Sequence, residues 1–286
     1  ARAPNSPFLV SGPHEIILAD NRHAPRVGTL DLHRALALDR LSGILHVDDP
    51  LRLAAYQRLL DLPSIAGLTE AERCLVTGFH FAAISSKITP ASLAESVALL
   101  HAHPAIVQEL RELIPLLDDQ SDHLTYPFEG VPLSVHARHT MDDVLTAFGL
   151  LDFDKTAWTQ TGVIRDERTN SDLFFVTLEK TERHYSPSTL YKDYAISPTL
   201  FHWESQSTTS QQSPTGQRYI KHRELGGQIL LFVRARKKQD GVTVPYTFLG
   251  PVDYVSHKGE RPIAFVWKLQ RPMPADFFRA AKVASA

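Results

Sequence analysis

LLFVRARKK, Leu230–Lys238, opens on four apolar residues and closes with four cations in five positions. An apolar run this short, bounded by glycines and charge, reads as a buried strand rather than a helix. IAFVWKLQR, Ile263–Arg271, has the same texture, and Asp172–Glu179 and Tyr246–Leu249 add two more short runs. All of them follow Thr161. The C-terminal part is therefore β-rich, with strands that suit a partly closed sheet.

Upstream the periodicity is helical. Residues 1–28 are a lead-in punctuated by Pro and charge, and from Thr29 Leu32, Leu36, Leu41 and Leu45 recur at near-helical spacing. Asp49 and Pro50 read as an N-cap followed by Pro at the first helical position, opening a helix that carries Leu53, Tyr56, Leu59 and Leu60. Thr69 with Glu72 is a capping box opening a helix through Phe81. Pro90 opens another that ends near His101, and Pro104 a third through Leu117. Residues 120–135 form a turn-rich linker with Pro127 and Pro132. Thr140 then caps a helix with Val144, Leu145 and Phe148 on its apolar side and Gly149 as its stop. The expected architecture is α+β, an N-terminal helical bundle followed by a β-rich, partly closed barrel. Its parts are a lead-in at 1–28, a helical domain at 29–149 and a β-rich domain at 150–286.

With 286 residues, 43% hydrophobic and 22% charged, the chain has the composition of a globular protein with a sizeable core. No apolar run is long enough to span a bilayer, and no secretory segment is evident, so no membrane partner is expected. Cys74 stands alone, which rules out an internal disulfide framework and fits a reducing cytoplasm. The net charge of −2 is unevenly divided. Residues 1–150 hold 11 Lys/Arg against 18 Asp/Glu, and the remainder 19 against 14. A polyanion would therefore meet the C-terminal half.

Several chemistries are excluded or weak. Fourteen histidines are present, with His101 and His103 two apart and His136 and His139 three apart, but no cysteine pair or H-E-x-x-H accompanies them. No metal site, catalytic residue or cofactor is expected. Cys74, within RCLVTGFHF, reads as a small buried residue rather than a nucleophile. There is no nucleophile elbow, phosphate-binding loop or dinucleotide fingerprint. Asp172, Glu179 and Lys180 are too loosely spaced for a nuclease site and read as an ordinary strand with solvated ends.

The segment Ser186–Ser207, SPSTLYKDYAISPTLFHWESQS, is different in kind. It gathers Tyr191, Tyr194, Phe201, His202 and Trp203, with Asp193, Glu204 and Gln206 as hydrogen-bonding ends. That mixture suits a site that stacks a flat ring and reads its polar edge. The alternative places Phe201 and Trp203 on the buried face of a strand, since a period of two puts them together. Downstream, Arg218, Lys221 and Arg223 flank Tyr219, as phosphate contacts beside a base-stacking surface would; a solvated basic turn is the plainer reading. RARKK, Arg234–Lys238, reads as a solvated strand end.

From about Leu45 to Pro274 the chain resembles the domain of unknown function that follows the helicase core in bacterial superfamily 2 helicase-like proteins. VPLSVHARHTMDDVLTAFGL, SDLFFVTLEK, YSPSTLYKDYAISPTLFHWESQSTTSQQSPTGQRYI, LLFVRARK and YTFLGPVDYVSHKGERPIAFVWKL carry the resemblance. In type IV, modification-dependent restriction enzymes of this architecture, a nuclease and a helicase-type ATPase precede a target-recognition module similar to SRA domains. The resemblance implies an SRA-like (PUA-like) barrel that binds double-stranded DNA and tests an extruded base, most simply 5-methylcytosine. It also implies nuclease and ATPase partners in the same chain or complex. The lack of both signatures and of an initiator Met makes a fragment of a longer enzyme the expectation, with a free-standing reader as the alternative. A hydrolytic domain and a protein-interaction scaffold are the competing functions.

Overall fold

The computed structural model describes residues 41–84, 90–120, 124–155, 162–179 and 192–284. The lead-in, most of the first expected helix, Lys180 and Tyr191 lie outside them.

Among the described residues the N-terminal part is built from α1 (Pro50–Asp61), α2 (Glu70–Ala83), α3 (Leu93–His101) and α4 (Pro104–Asp119). Their starts follow local chemistry. The Asp49 carboxylate accepts from the Leu51 N–H at 3.0 Å, with Pro50 in the first turn. Thr69 and Glu72 form the reciprocal capping box. Ser92, not Pro90, caps α3. Leu53, Tyr56, Leu59, Phe79, Leu100, Leu110 and Leu117 belong to one core running from Ile44 to Leu117.

The described part of the expected linker carries secondary structure. It holds β1 (Tyr126–Pro127), paired antiparallel with β2 (Ser134–Val135). After β3 (Arg138–His139) comes α5 (Met141–Ala147), capped by Thr140 and followed by Gly149 at φ +65°. The main sheet comprises β4 (Val163–Asp166), β5 (Ser171–Thr177), β6 (Tyr194–Ser197), β7 (Leu200–Glu204), β8 (Gln228–Arg234), β11 (Tyr246–Lys258) and β12 (Ala264–Leu269). Its order is β4-β5-β8-β11-β12-β7-β6, with β3 alongside β11. Only β5 and β8 pair in parallel. A small hairpin, β9 (Lys238–Gln239) with β10 (Val242–Thr243), joins β8 to β11. Two helices, α6 (Pro214–Ile220) and α7 (Ala275–Ala284), complete the fold.

The helical part and the β-rich part are as expected, but the barrel is not. Among the described residues the strand path is open, with β4 and β6 at its ends. The central strands explain this: β5 is buried along its whole length because both faces of the sheet are covered there. On one face Phe174, Ile229, Leu231, Phe265 and Trp267 pack with Tyr219 of α6 and Phe277, Phe278 and Ala281 of α7. On the other, Phe175, Leu230, Phe232 and Phe248 pack under Val131, Leu133, Val144 and Phe148. Residues 131–148 thus share a core with the sheet.

β11 is 13 residues long, where the sequence suggests four. Gly250 and Pro251 look like a stop but form a bulge, with a register shift between Phe248 and Gly250. Gly250 adopts φ +87°, and a Cβ there would meet the Val135 side chain at 3.1 Å.

Candidate functional site

β7 and β12 alternate cleanly. Phe201, Trp203, Phe265 and Trp267 point into the helix-covered core, while Leu200, His202, Glu204, Ala264, Val266 and Lys268 face the other way. The covering segment 131–148 packs over the β5, β8 and early β11 part of that second face. The remaining half keeps its solvent exposure.

Across this bare half runs a row of directly paired residues from four strands: Tyr194, His202, Val266 and Ser256. Tyr194 and His202 stack, with ring centroids 4.6 Å apart and 14° between planes. Tyr194 is 38% exposed. Lys258 and Glu204 both pair with Ala264 on one side of the row, and Lys268 pairs with Leu200 and Asp253 on the other. Lys258 and Lys268 are exposed.

The His202 ring is fixed by the backbone. Its Nδ1 lies 2.7 Å from the Lys192 carbonyl, which can only accept, so Nδ1 carries the proton and Nε2 of the neutral ring is an acceptor. Glu204 accepts from the Lys192 N–H at 3.0 Å, and Asp193 accepts from the Glu204 N–H at 2.9 Å. The segment leading into β6 is therefore laced to β7 through Lys192 and Asp193, on one side of the aromatic pair. What results is a phenol–imidazole platform with the Glu204 carboxylate at its margin, Lys268 on the neighbouring strand β12 and Lys258 one strand further, on β11.

The structure redistributes the expected pocket. Phe201 is fully buried, and Trp203 is buried against Phe174 at 4.2 Å between centroids. Neither offers a ring face to a ligand: the alternative strand-core reading is correct for both. Asp193 is also buried and holds backbone rather than facing a ligand. Gln206 accepts from the Thr209 hydroxyl at 3.4 Å in the turn after β7. Tyr194, His202 and Glu204 remain together on the exposed face; Tyr191 lies outside the described residues.

The basic segment is corrected in the same way. It forms α6 and the turns behind it, not a loop. Tyr219 is buried between Phe174 and Phe265, and burial pushes its hydroxyl pKa well up. Arg218 grips Asp172 through Nε at 2.9 Å and Nη2 at 3.0 Å, and this hydrogen-bonded carboxylate raises its pKa. Arg165 reaches the same carboxylate at 3.2 Å. Arg223 pairs with Asp253. Lys221 is exposed. Asp172 is thus spoken for by two arginines, and Glu179 lies 3.3 Å from Arg236, an arrangement with no nuclease geometry. Among the described residues no group of three or more His, Cys, Asp and Glu is placed to hold a metal ion.

Three cavities of about 440, 450 and 460 Å³ open elsewhere, none lined by residues 192–206. Cys74 borders the first, and burial pushes its thiol pKa up, away from thiolate chemistry. Sequence reasoning missed Ser256, Lys258 and Lys268. Their signal was alternation in AFVWKL and its continuation on β11, hidden by the apparent stop at Gly250–Pro251.

The chain belongs to the family described as domain of unknown function DUF3427, which matches residues 133–281, more than half of its length. The matched segment begins in the cover of the sheet and ends in α7, leaving the four-helix core outside it. None of the curated proteins matches the chain.

Proposed function

We propose that this chain recognises modified DNA, and that the bare half of the sheet is the reading surface. The observation that carries this is the solvent-facing Tyr194–His202 stack, ordered by Lys192, Asp193 and Glu204 and flanked by Lys258 and Lys268. Extruding a base from a duplex costs a few kcal/mol. Stacking on an aromatic platform returns about 1–3 kcal/mol per base, and hydrogen bonds to the base edge add to that. A carboxylate such as Glu204 only accepts, which suits the exocyclic amino group of cytosine. A buried 5-methyl group supplies only about 0.8 kcal/mol, so discrimination rests on how the platform edge fits the modified ring.

The resemblance to the target-recognition region of type IV restriction enzymes supports 5-methylcytosine as the first modification to test. It also supports a helicase-type ATPase and a nuclease as working partners in a cytoplasmic defence system. In this reading the four-helix core couples recognition to the motor, and the aromatic core of Phe201, Trp203 and Tyr219 supports the platform from beneath.

The test is a binding panel of one duplex carrying cytosine, 5-methylcytosine, 5-hydroxymethylcytosine or N6-methyladenine. The proposal requires at least one modified duplex to bind more tightly than the plain one, with a fluorescence rise from 2-aminopurine at the target position. Equal binding across the panel with no rise would refute it.

A further inference from the structure

The RARKK stretch holds the end of β8 at Arg234 and, beyond it, an exposed run that goes on into a hairpin. Residues 236–243 are all exposed, yet they form an ordered β9–β10 hairpin standing off the main sheet. Asp240 and Gly241 at its tip both have positive φ, 50° and 83°, the two-residue turn that matches strand twist. The ladder continues at the base, where the Val244 N–H donates to the Lys237 carbonyl at 3.1 Å. Below it Arg234 is buried, donates to the Val244 carbonyl at 3.0 Å and lies 4.2 Å over the Tyr246 ring. Arg236 is tied to Glu179.

An isolated two-stranded hairpin buries too little to stabilise itself, and this one adds nothing to any of the three cores. What holds it is the set of contacts at its root, from the Val244 N–H to the Lys237 carbonyl and from Arg234 to the Val244 carbonyl. Among the described residues Lys237 and Lys238 make no ion pair. Gln239 pairs with Val242 and Lys238 with Thr243, so the tip offers an amide and a 62% exposed valine on one face, with the two free cations side by side on the strand that leads into it. Folding does not explain that composition; a nucleic-acid groove does. A major groove about 12 Å wide admits a two-stranded ribbon, phosphates line its edges, and thymine presents a methyl group within it.

We infer that the β9–β10 hairpin enters the major groove of duplex DNA, with Lys237 and Lys238 on phosphates and the Gln239–Val242 pair, which shares one face of the ribbon, toward base edges. β11 runs from the hairpin's root to the Tyr194–His202 row, about ten residues or roughly 30 Å. That is close to one duplex turn, so both surfaces can meet one DNA molecule. The inference shares DNA as ligand with the function proposed above but is independent of the stacked pair.

The experiment compares the full chain with its K237Q/K238Q variant on an unmodified duplex, on a single strand of equal length and on polyglutamate, over a range of salt. The expected result is about tenfold weaker duplex binding, with the salt slope reduced by roughly two, near 0.9 per lost phosphate contact. Thermal stability and any preference for modified over plain DNA stay unchanged. Methyl green, which fills the major groove, should remove the advantage of the wild-type chain over the variant. Wild-type duplex affinity and slope in the variant would overturn the inference. So would polyglutamate binding as tight as duplex binding, which would assign the hairpin to an acidic protein surface. A hairpin effect without any preference for modified DNA would leave this inference standing and remove the modified-base reading.

Discussion

Arg52 of α1 and Asp143 of α5 meet at 2.8 Å between the helical core and the sheet cover, each with no more than 2% of its side chain exposed. Around them Asp49 accepts from the Ser134 N–H and hydroxyl, Asp48 from the Arg138 backbone and guanidinium, and Arg52 also donates to the Arg138 carbonyl. The two cores are thus joined by a buried polar junction. Removing one partner of such a pair leaves an uncompensated charge and costs about 3–5 kcal/mol. Arg52→Met should therefore lower the thermal midpoint by roughly 6–20 °C, at about 2–4 °C per kcal/mol for a chain of this size. The double variant Arg52→Met/Asp143→Leu should be less destabilised than the sum of the single changes, as a double-mutant cycle would read. Additive losses would mean that the pair contributes nothing as a pair.

The same junction sets an acid response. Burial alone would raise the Asp143 pKa, but the Arg52 guanidinium, aided by His46, outweighs it and holds the carboxyl well below the usual carboxylate range. Its contribution is complete above the unfolded value near 4 and is lost as pH falls from there toward the folded value. His139 acts earlier. Burial lowers its pKa, so the unfolded chain binds the extra proton first, and stability declines as pH drops through about 6.5. Urea midpoints measured from pH 7.5 to 3 should show both phases. His139→Gln should remove the upper one, and the gap between wild type and Asp143→Asn should narrow below pH 4. A midpoint unchanged between pH 7.5 and 5 would contradict the role given to His139.

Trp203 and Tyr194 separate core from surface within one aromatic segment. Trp203→Ala empties a site enclosed by Phe174, Tyr219 and Phe265 and should cost about 3–5 kcal/mol, seen as a lowered urea midpoint. Tyr194→Ala, at an exposed edge position, should stay within about 1 kcal/mol of wild type in stability while losing the preference for modified DNA. If both variants lose stability equally, Tyr194 is a structural residue and the platform is misassigned.

The helix starts were legible because caps are local: Asp49–Pro50, Thr69 with Glu72, and Thr140 each act within three residues. The strands were legible where burial made them continuous, as in β5 and β8. What failed was decided by distant contacts. Ser213–Pro214 is a cap signature, but Gly216 and the polar run around it look like a loop. That glycine is needed because a Cβ there would collide with the Ser210 carbonyl oxygen. The division of Phe201 and Trp203 from His202 follows from alternation alone. Which side is core depends on α6 and α7 packing there, and no residue of the segment records that.

Arg218, Lys221 and Arg223 look alike in sequence and should behave differently. Arg218 shares the buried Asp172 carboxylate with Arg165. Arg218→Ala should cost about 1–3 kcal/mol, because a buried acceptor loses its strongest donor and α6 loses its tether to β5. Arg223 pairs with Asp253 at the surface, and an exposed pair is worth at most about 1 kcal/mol. Lys221→Gln should leave the urea midpoint unchanged. Any effect of Lys221 on DNA binding should then appear as a salt slope smaller by about one, equally for plain and modified duplexes. If Arg218→Ala instead preserved stability while abolishing DNA binding, the Asp172 grip would be dispensable, and Arg218 would belong to the interface rather than to the scaffold that holds α6 in place.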